Sequence, residues 1–69
     1  MSDSVYKIIE LVGSSKVSWE DAAKNAIDKA SGSLRDLRIA EVLAQDIQMK
    51  DGKIDFYRTK IKLSFKYHA

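Results

Sequence analysis

The sequence predicts an α+β domain of β-α-β-β order, in which a three-stranded antiparallel sheet packs on one helix. Three observations carry this. Val5 to Val12 is rich in β-branched and aromatic residues and stops at Gly13-Ser14-Ser15. A helical apolar period begins behind Ser18. Asp51-Gly52 stands between two β-rich runs, and that dipeptide favours a type I′ hairpin, whose two central residues both need positive φ.

The first strand is apolar on both faces, with Tyr6, Ile8 and Val12 on one and Val5, Ile9 and Leu11 on the other. A strand with one wet face does not read like that. It is therefore expected either to be central or to have its second face covered by another subunit.

In the next element Ser18 is the N-cap, and Glu20 and Asp21 sit in the first turn, where negative charge suits the helix dipole. Asp21 makes a weaker form of the capping box. Trp19, Ala22, Ala23, Ala26, Ile27 and Ala30 then fall within one arc of about 140°. Four of these six are alanine, so the helix must lie very close to what it covers. Trp19 reads as a helix-start packing residue. Gly32 is the expected left-handed C-cap.

Leu37 to Met49 and Ile54 to Tyr67 form the hairpin. Tyr57, Thr59, Ile61, Leu63, Phe65 and Tyr67 share one face of the last strand, and Arg58, Lys60, Lys62, Ser64 and Lys66 share the other. A two-residue turn sets Lys50 against Lys53. Ala40 then faces Leu63, Val42 faces Ile61, Ala44 faces Thr59, Arg58 faces Gln45, and Glu41 meets Lys62. Ala40 and Ala44 would line the alanine face of the helix. Leu37, Ile39, Glu41, Leu43, Gln45, Ile47 and Met49 would form an outer face, mostly apolar, and a contiguous bare patch of that kind marks an interface.

The composition narrows the function. The 69 residues form one domain, residues 1–69, without cysteine, so there is no disulfide framework, thiolate nucleophile or thiolate metal site. The single His68 stands next to the C-terminus, where it is not expected to be held against a partner. A chain this short rarely gains more than roughly 3–5 kcal/mol from one core without staples or assembly. Staples are absent, so self-assembly is expected. The longest apolar run is Val42-Leu43-Ala44 and the N-terminus is polar, so no membrane contact is expected and the location is expected to be cytoplasmic. A net charge of +2, with no aromatic series between the basic residues, argues against nucleic acid. Glu10 and Glu41 have nothing near them to position a substrate, and the chain is read as no enzyme.

Several pieces in order resemble the dodecin family: Val5 through Ser15, Ser18-Trp19-Glu20-Asp21-Ala22, Ala26-Ile27 with Ala30-Ser31, Leu34-Arg35, Glu41-Val42, Asp51-Gly52-Lys53, and Lys62 with Phe65. The match runs from about Val5 to Lys66. The resemblance implies a sheet that partly wraps its helix, and a hollow homododecamer built from trimers. It also implies non-catalytic binding or storage of a small ligand, which in typical members is a flavin such as riboflavin or FMN. The flavin-site positions carried over are Ile39, Glu41, Gln45 and Arg58. Typical members have a tryptophan that stacks on the flavin where this chain has Ile39, and a glutamine where it has Arg58, so flavin affinity is expected to be poor. Ile39 and Gln45, opposite Arg58 in the expected register, lie six residues apart, about 20 Å along a strand. A site using both Ile39 and Arg58 therefore needs neighbouring subunits.

Other readings stay open. Glu41 and Asp46 are candidate oxygen ligands for Ca²⁺ or Mg²⁺ at an interface, since such ions need six or more oxygens. The stripe Arg58, Lys60, Lys62 and Lys66 is a solvated face or an anion site for the phosphates of a nucleotide or coenzyme A. The alternative function is an oligomeric scaffold for a metal ion, coenzyme A or a protein partner.

Overall fold

The computed structural model describes residues 4–67, so the expectations for Met1–Asp3 and for His68 lie outside it. The elements are β1 (Tyr6–Ser15), α1 (Trp19–Ser31), β2 (Leu37–Lys50) and β3 (Lys53–Lys66), and the sheet order is β1-β3-β2 with both pairs antiparallel. This is the α+β architecture expected.

The helix begins as the sequence indicates. Asp21 N–H donates to Ser18 Oγ at 3.0 Å. The Asp21 carboxylate serves a different purpose from the expected capping box: it accepts the Ser15 hydroxyl at 2.7 Å, and Ser15 Oγ accepts Val17 N–H at 2.9 Å. The short crossover from β1 into α1 is thereby stitched at both ends. Gly32, at φ −70°, is right-handed rather than left-handed, and the turn closes through Leu34 N–H donating to Ala30 C=O at 2.8 Å. The left-handed residue comes later, at Asp36, with φ 56°.

Ala22, Ala26 and Ala30 are buried, with Ile61 and Leu63 from β3 opposite. The alanine face is explained by β1 and β3, which the helix covers, and not by Ala40 and Ala44, because β2 touches the helix only lightly. The closest approach is at Gly13, which lies inside β1 rather than ending it. A Cβ there would stand 1.9 Å from the Ala22 carbonyl oxygen and 3.0 Å from Ala26 Cβ. Thr59, fully buried, donates its hydroxyl to Trp19 C=O at 2.8 Å and ties the helix start to the central strand.

β3 alternates as expected, and the turn is as expected too, with Asp51 at φ 53° and Gly52 at φ 74°. The β2 register holds beside the turn, with Lys50 opposite Lys53, and again farther back, with Val42 opposite Ile61, Glu41 opposite Lys62 and Ala40 opposite Leu63. Between them it is displaced by one residue. Asp55 on β3 and Leu43 on β2 are unpaired extras, so Ala44 faces Lys60, Gln45 faces Thr59 and Asp46 faces Arg58. A one-residue shift moves side chains to the other face. Gln45 and Ile47 accordingly turn to the helix side and Ala44 turns away. A further irregularity at Arg38 pairs Leu37 with Phe65, also on the helix side. The expected outer face of β2 is thus broken up, and Ile39, Glu41, Ala44, Asp46 and Gln48 replace it.

β1 is an edge strand, which removes the reading that placed it centrally. Its outward side chains Tyr6, Ile8 and Val12 are exposed.

Candidate functional site

Pairing across both ladders arranges the outer face of the sheet in rows. Ile8, Ser64 and Ile39 form one row, Glu10, Lys62 and Glu41 the next, then Val12, Lys60 and Ala44, then Ser14, Arg58 and Asp46. A basic stripe on β3 is therefore flanked by acids on both neighbours, with aliphatic side chains between. Opposite charges on facing strands are the arrangement that stabilises such a surface.

The last row holds the strongest contact. Arg58 Nε donates to Asp46 Oδ1 and an Arg58 terminal nitrogen to Asp46 Oδ2, each at 2.7 Å, a two-pronged guanidinium–carboxylate pair. These hydrogen bonds hold the Asp46 carboxyl below its ordinary range, outweighing desolvation, and the positive charge of Arg58 adds to them; the same pair raises Arg58. Lys60 Nζ lies 3.3 Å from Glu10 Oε1. The register error hid the Asp46–Arg58 pair from the sequence, although the opposite charges at these two hairpin positions were a signal that a shifted register existed.

Ile39, Glu41, Asp46 and Arg58 share the outer face; Gln45 does not. Gln45 lines a groove of about 350 Å³ between α1 and β2, with Trp19, Ala23, Ile27, Val42 and Thr59. Ile39 and Arg58 stay apart, because their rows are six β3 residues distant, about 20 Å. Glu41 and Asp46 are four β3 residues apart, about 14 Å, too far for one cation to bridge within a chain. Among the described residues no three acidic or histidine side chains gather closely enough to hold a metal.

Trp19 is a packing residue, as expected. Its Nε1–H donates to Asp46 C=O at 3.0 Å, and its ring meets Tyr57 edge to face at 5.1 Å between centroids. It thereby clips β2 to the helix start across β3. No helix among the described residues is long and apolar enough to cross a membrane.

Residues 5–68 match the family model for dodecin. The chain is 47% identical over 64 residues to calcium dodecin of Mycobacterium tuberculosis, an alignment covering 91% of this chain and 89% of that one. Among solved structures, dodecin from Streptomyces coelicolor superposes with a TM-score of 0.93 at 33% identity, covering 100% of this chain and 99% of the other. The M. tuberculosis calcium dodecin structure, described as calcium-chelating and as having a novel calcium-binding site, gives a TM-score of 0.85 at 45% identity over 94% of this chain and 93% of that one.

Proposed function

Because the chain belongs to the dodecin family, we propose that it is a non-catalytic, self-assembling binding protein whose cargo is a divalent cation rather than a flavin. The observation that carries this choice is β2. The strand has no aromatic side chain anywhere, and Ile39, 65% exposed on its outer face, offers a flavin ring an aliphatic contact in place of a stacking partner. Stacking on an aromatic is worth roughly 1–3 kcal/mol per ring in nucleic-acid complexes, and this surface forgoes it. The similarity to a calcium dodecin supports the cation.

The residues fit the cation only in an assembly. Calcium takes six to eight oxygens, and one chain brings no such cluster together among its described residues. Glu41 is in no ion pair among those described, whereas both Asp46 oxygens are taken by Arg58. Glu41, repeated by symmetry, is therefore the better ligand candidate.

Assembly into a closed shell of twelve subunits built from trimers is part of the same reading. It is supported by a small core: among the described residues the buried apolar ones are Ala22, Ala26, Ala30, Ile61 and Leu63, while Ile8, Val12, Ile39, Val42 and Met49 are all more than half exposed. Surfaces of this kind are normally covered.

Native mass spectrometry of protein stripped with a chelator and then supplied with Ca²⁺ tests both halves. A twelve-subunit mass gaining calcium-sized increments is expected, and Glu41→Gln should remove them. Flavin-sized increments on freshly purified protein would overturn the choice of cation over flavin, and a monomer mass would overturn the shell. Ile39→Trp should raise flavin affinity, read by quenching of flavin fluorescence. An unchanged titration would mean that Ile39 does not stand at a flavin position.

A further inference from the structure

The middle of β2 has a second pairing open to it. Between Val42 opposite Ile61 and Met49 opposite Ile54, the five residues Ala44–Gln48 stand one place out of step with both flanks. Carrying the flanking register straight through would set Ala44 against Thr59, Gln45 against Arg58, Asp46 against Tyr57, Ile47 against Phe56 and Gln48 against Asp55. The two pairings share both ends and differ by a slide of one residue, about 3.4 Å. The backbone favours the straight one, because a bulge leaves its extra residue out of the ladder. Burial does not decide between them. Every residue from Ala44 to Gln48 is exposed, and register is firmly specified only where one face is buried.

Side chains must therefore choose, and their contacts leave one candidate. Gln48 Nε2 donates to Asp55 Oδ2 at 3.2 Å, but these two residues would face each other in the straight ladder as well. Trp19 Nε1–H donates to the backbone carbonyl of Asp46, and the straight ladder would bring the Gln45 carbonyl to the same place. Ile47 would leave Tyr57 for the outer face, yet it is already 37% exposed where it stands. Asp46 is the exception. It would exchange two hydrogen bonds of 2.7 Å from Arg58 for a place beside the edge-to-face rings of Tyr57 and Trp19, an apolar setting for a carboxylate.

We propose that Asp46 is the positioning residue of the outer face: its charge, held by Arg58, keeps Ala44–Gln48 in the displaced register and so decides which side chains that face presents. Displaced, this part of the strand shows Ala44, Asp46 and Gln48 there. Straight, it would show Leu43, Gln45 and Ile47, extending the apolar surface that begins at Ile39. The pair with Arg58 is two-pronged, the geometry in which an exposed ion pair does contribute. The consequence for ligand choice rests on the outer face being the binding surface, as proposed above, whereas the register does not. Ile39 and Glu41 keep their β3 partners in either pairing, so a failure here leaves the Glu41 test untouched, and the reverse also holds.

Crystal structures of variants of the full chain, as it assembles, read the register directly. In Gln45→Asp/Asp46→Gln the acid moves to the residue that faces Arg58 in the straight ladder. Position 45 should then pair with Arg58, Leu43 and Asp55 should enter the ladder, and Ile47 should appear on the outer face. Asp46→Leu, which removes the charge, should make the same one-residue shift, with its side chain turned to Trp19 and Tyr57. Glu10→Gln breaks the neighbouring ion pair with Lys60 and should leave Asp46 opposite Arg58. In every variant Glu41 should stay opposite Lys62 and Lys50 opposite Lys53. Position 46 still opposite Arg58 in the double substitution would overturn the proposal and give the choice of register to the packing of Ile47. Should the double substitution not fold, Asp46→Leu decides by the same criterion. A shift in Glu10→Gln would overturn it too, since the loss of any charge on the face would then suffice.

Discussion

Gly13 has a neighbour where its side chain would be. With the Ala22 carbonyl oxygen 1.9 Å from the place of a Cβ, any larger residue must push helix and strand apart. Gly13→Ala is expected to destabilise the fold by about 1–3 kcal/mol or more, the range for overpacking a tight contact, read by chemical denaturation. Asp46 makes a prediction of a different kind. Its carboxyl, held low by hydrogen bonds from Arg58, has an ordinary value near 3.8. A depressed native value contributes stability that is complete above the unfolded value and is lost as pH falls through the native one. An NMR titration of Asp46 should therefore show a midpoint below 3.8, returning to the ordinary range in Arg58→Gln. A midpoint that does not move would mean that the pair is not formed in solution.

At the level of elements, what was legible followed from patterns that interruptions do not disturb. The Ser18 cap, the alanine face and the even alternation of β3 each depend on a few consecutive residues, and all three stand. Ser18→Ala should cost about 1 kcal/mol, measured by thermal unfolding, because the Asp21 N–H loses its partner. β2 was read less well for a physical reason. Its extra residue, Leu43, lies in the run Val42-Leu43-Ala44, where every side chain is apolar, so the change of face leaves no trace in the pattern. A bulge has no compositional mark unless a glycine sits in it. Gly13 misled in the opposite way, because glycine signals a stop to a sequence reader and a close approach to a packed helix. Of the candidate site residues, Ile39, Glu41 and Arg58 share the outer face in the sequence pattern as in the structure, whereas the bulge brings Asp46 onto that face and takes Gln45 off it.

For the whole molecule, length is the controlling quantity. Each hairpin strand has 14 residues, about 48 Å at strand rise, whereas the 13-residue helix spans about 20 Å. The turn end of the hairpin therefore runs past the helix, which accounts for the 55 Å long axis of so small a chain. Ile47, Met49 and Ile54 on that extension have no helix to cover them and are exposed. If neighbouring subunits cover them, stability is linked to association, and the melting temperature should rise with protein concentration. A melting temperature independent of concentration over two decades would place the stability within the single chain.

Two of the three irregularities of the hairpin, the extra residues Leu43 on one strand and Asp55 on the other, bear on how this chain can change through evolution. Each offsets the other, so the ladder regains its phase on either side of the segment between them. Losing Leu43 alone would leave one strand a residue short and turn the stretch beyond it inside out. Losing both would straighten the hairpin without altering its ends. Gaps in relatives of this chain should therefore occur at these two places together, and a relative that lacks only one should be found to have gained a residue elsewhere in the same hairpin.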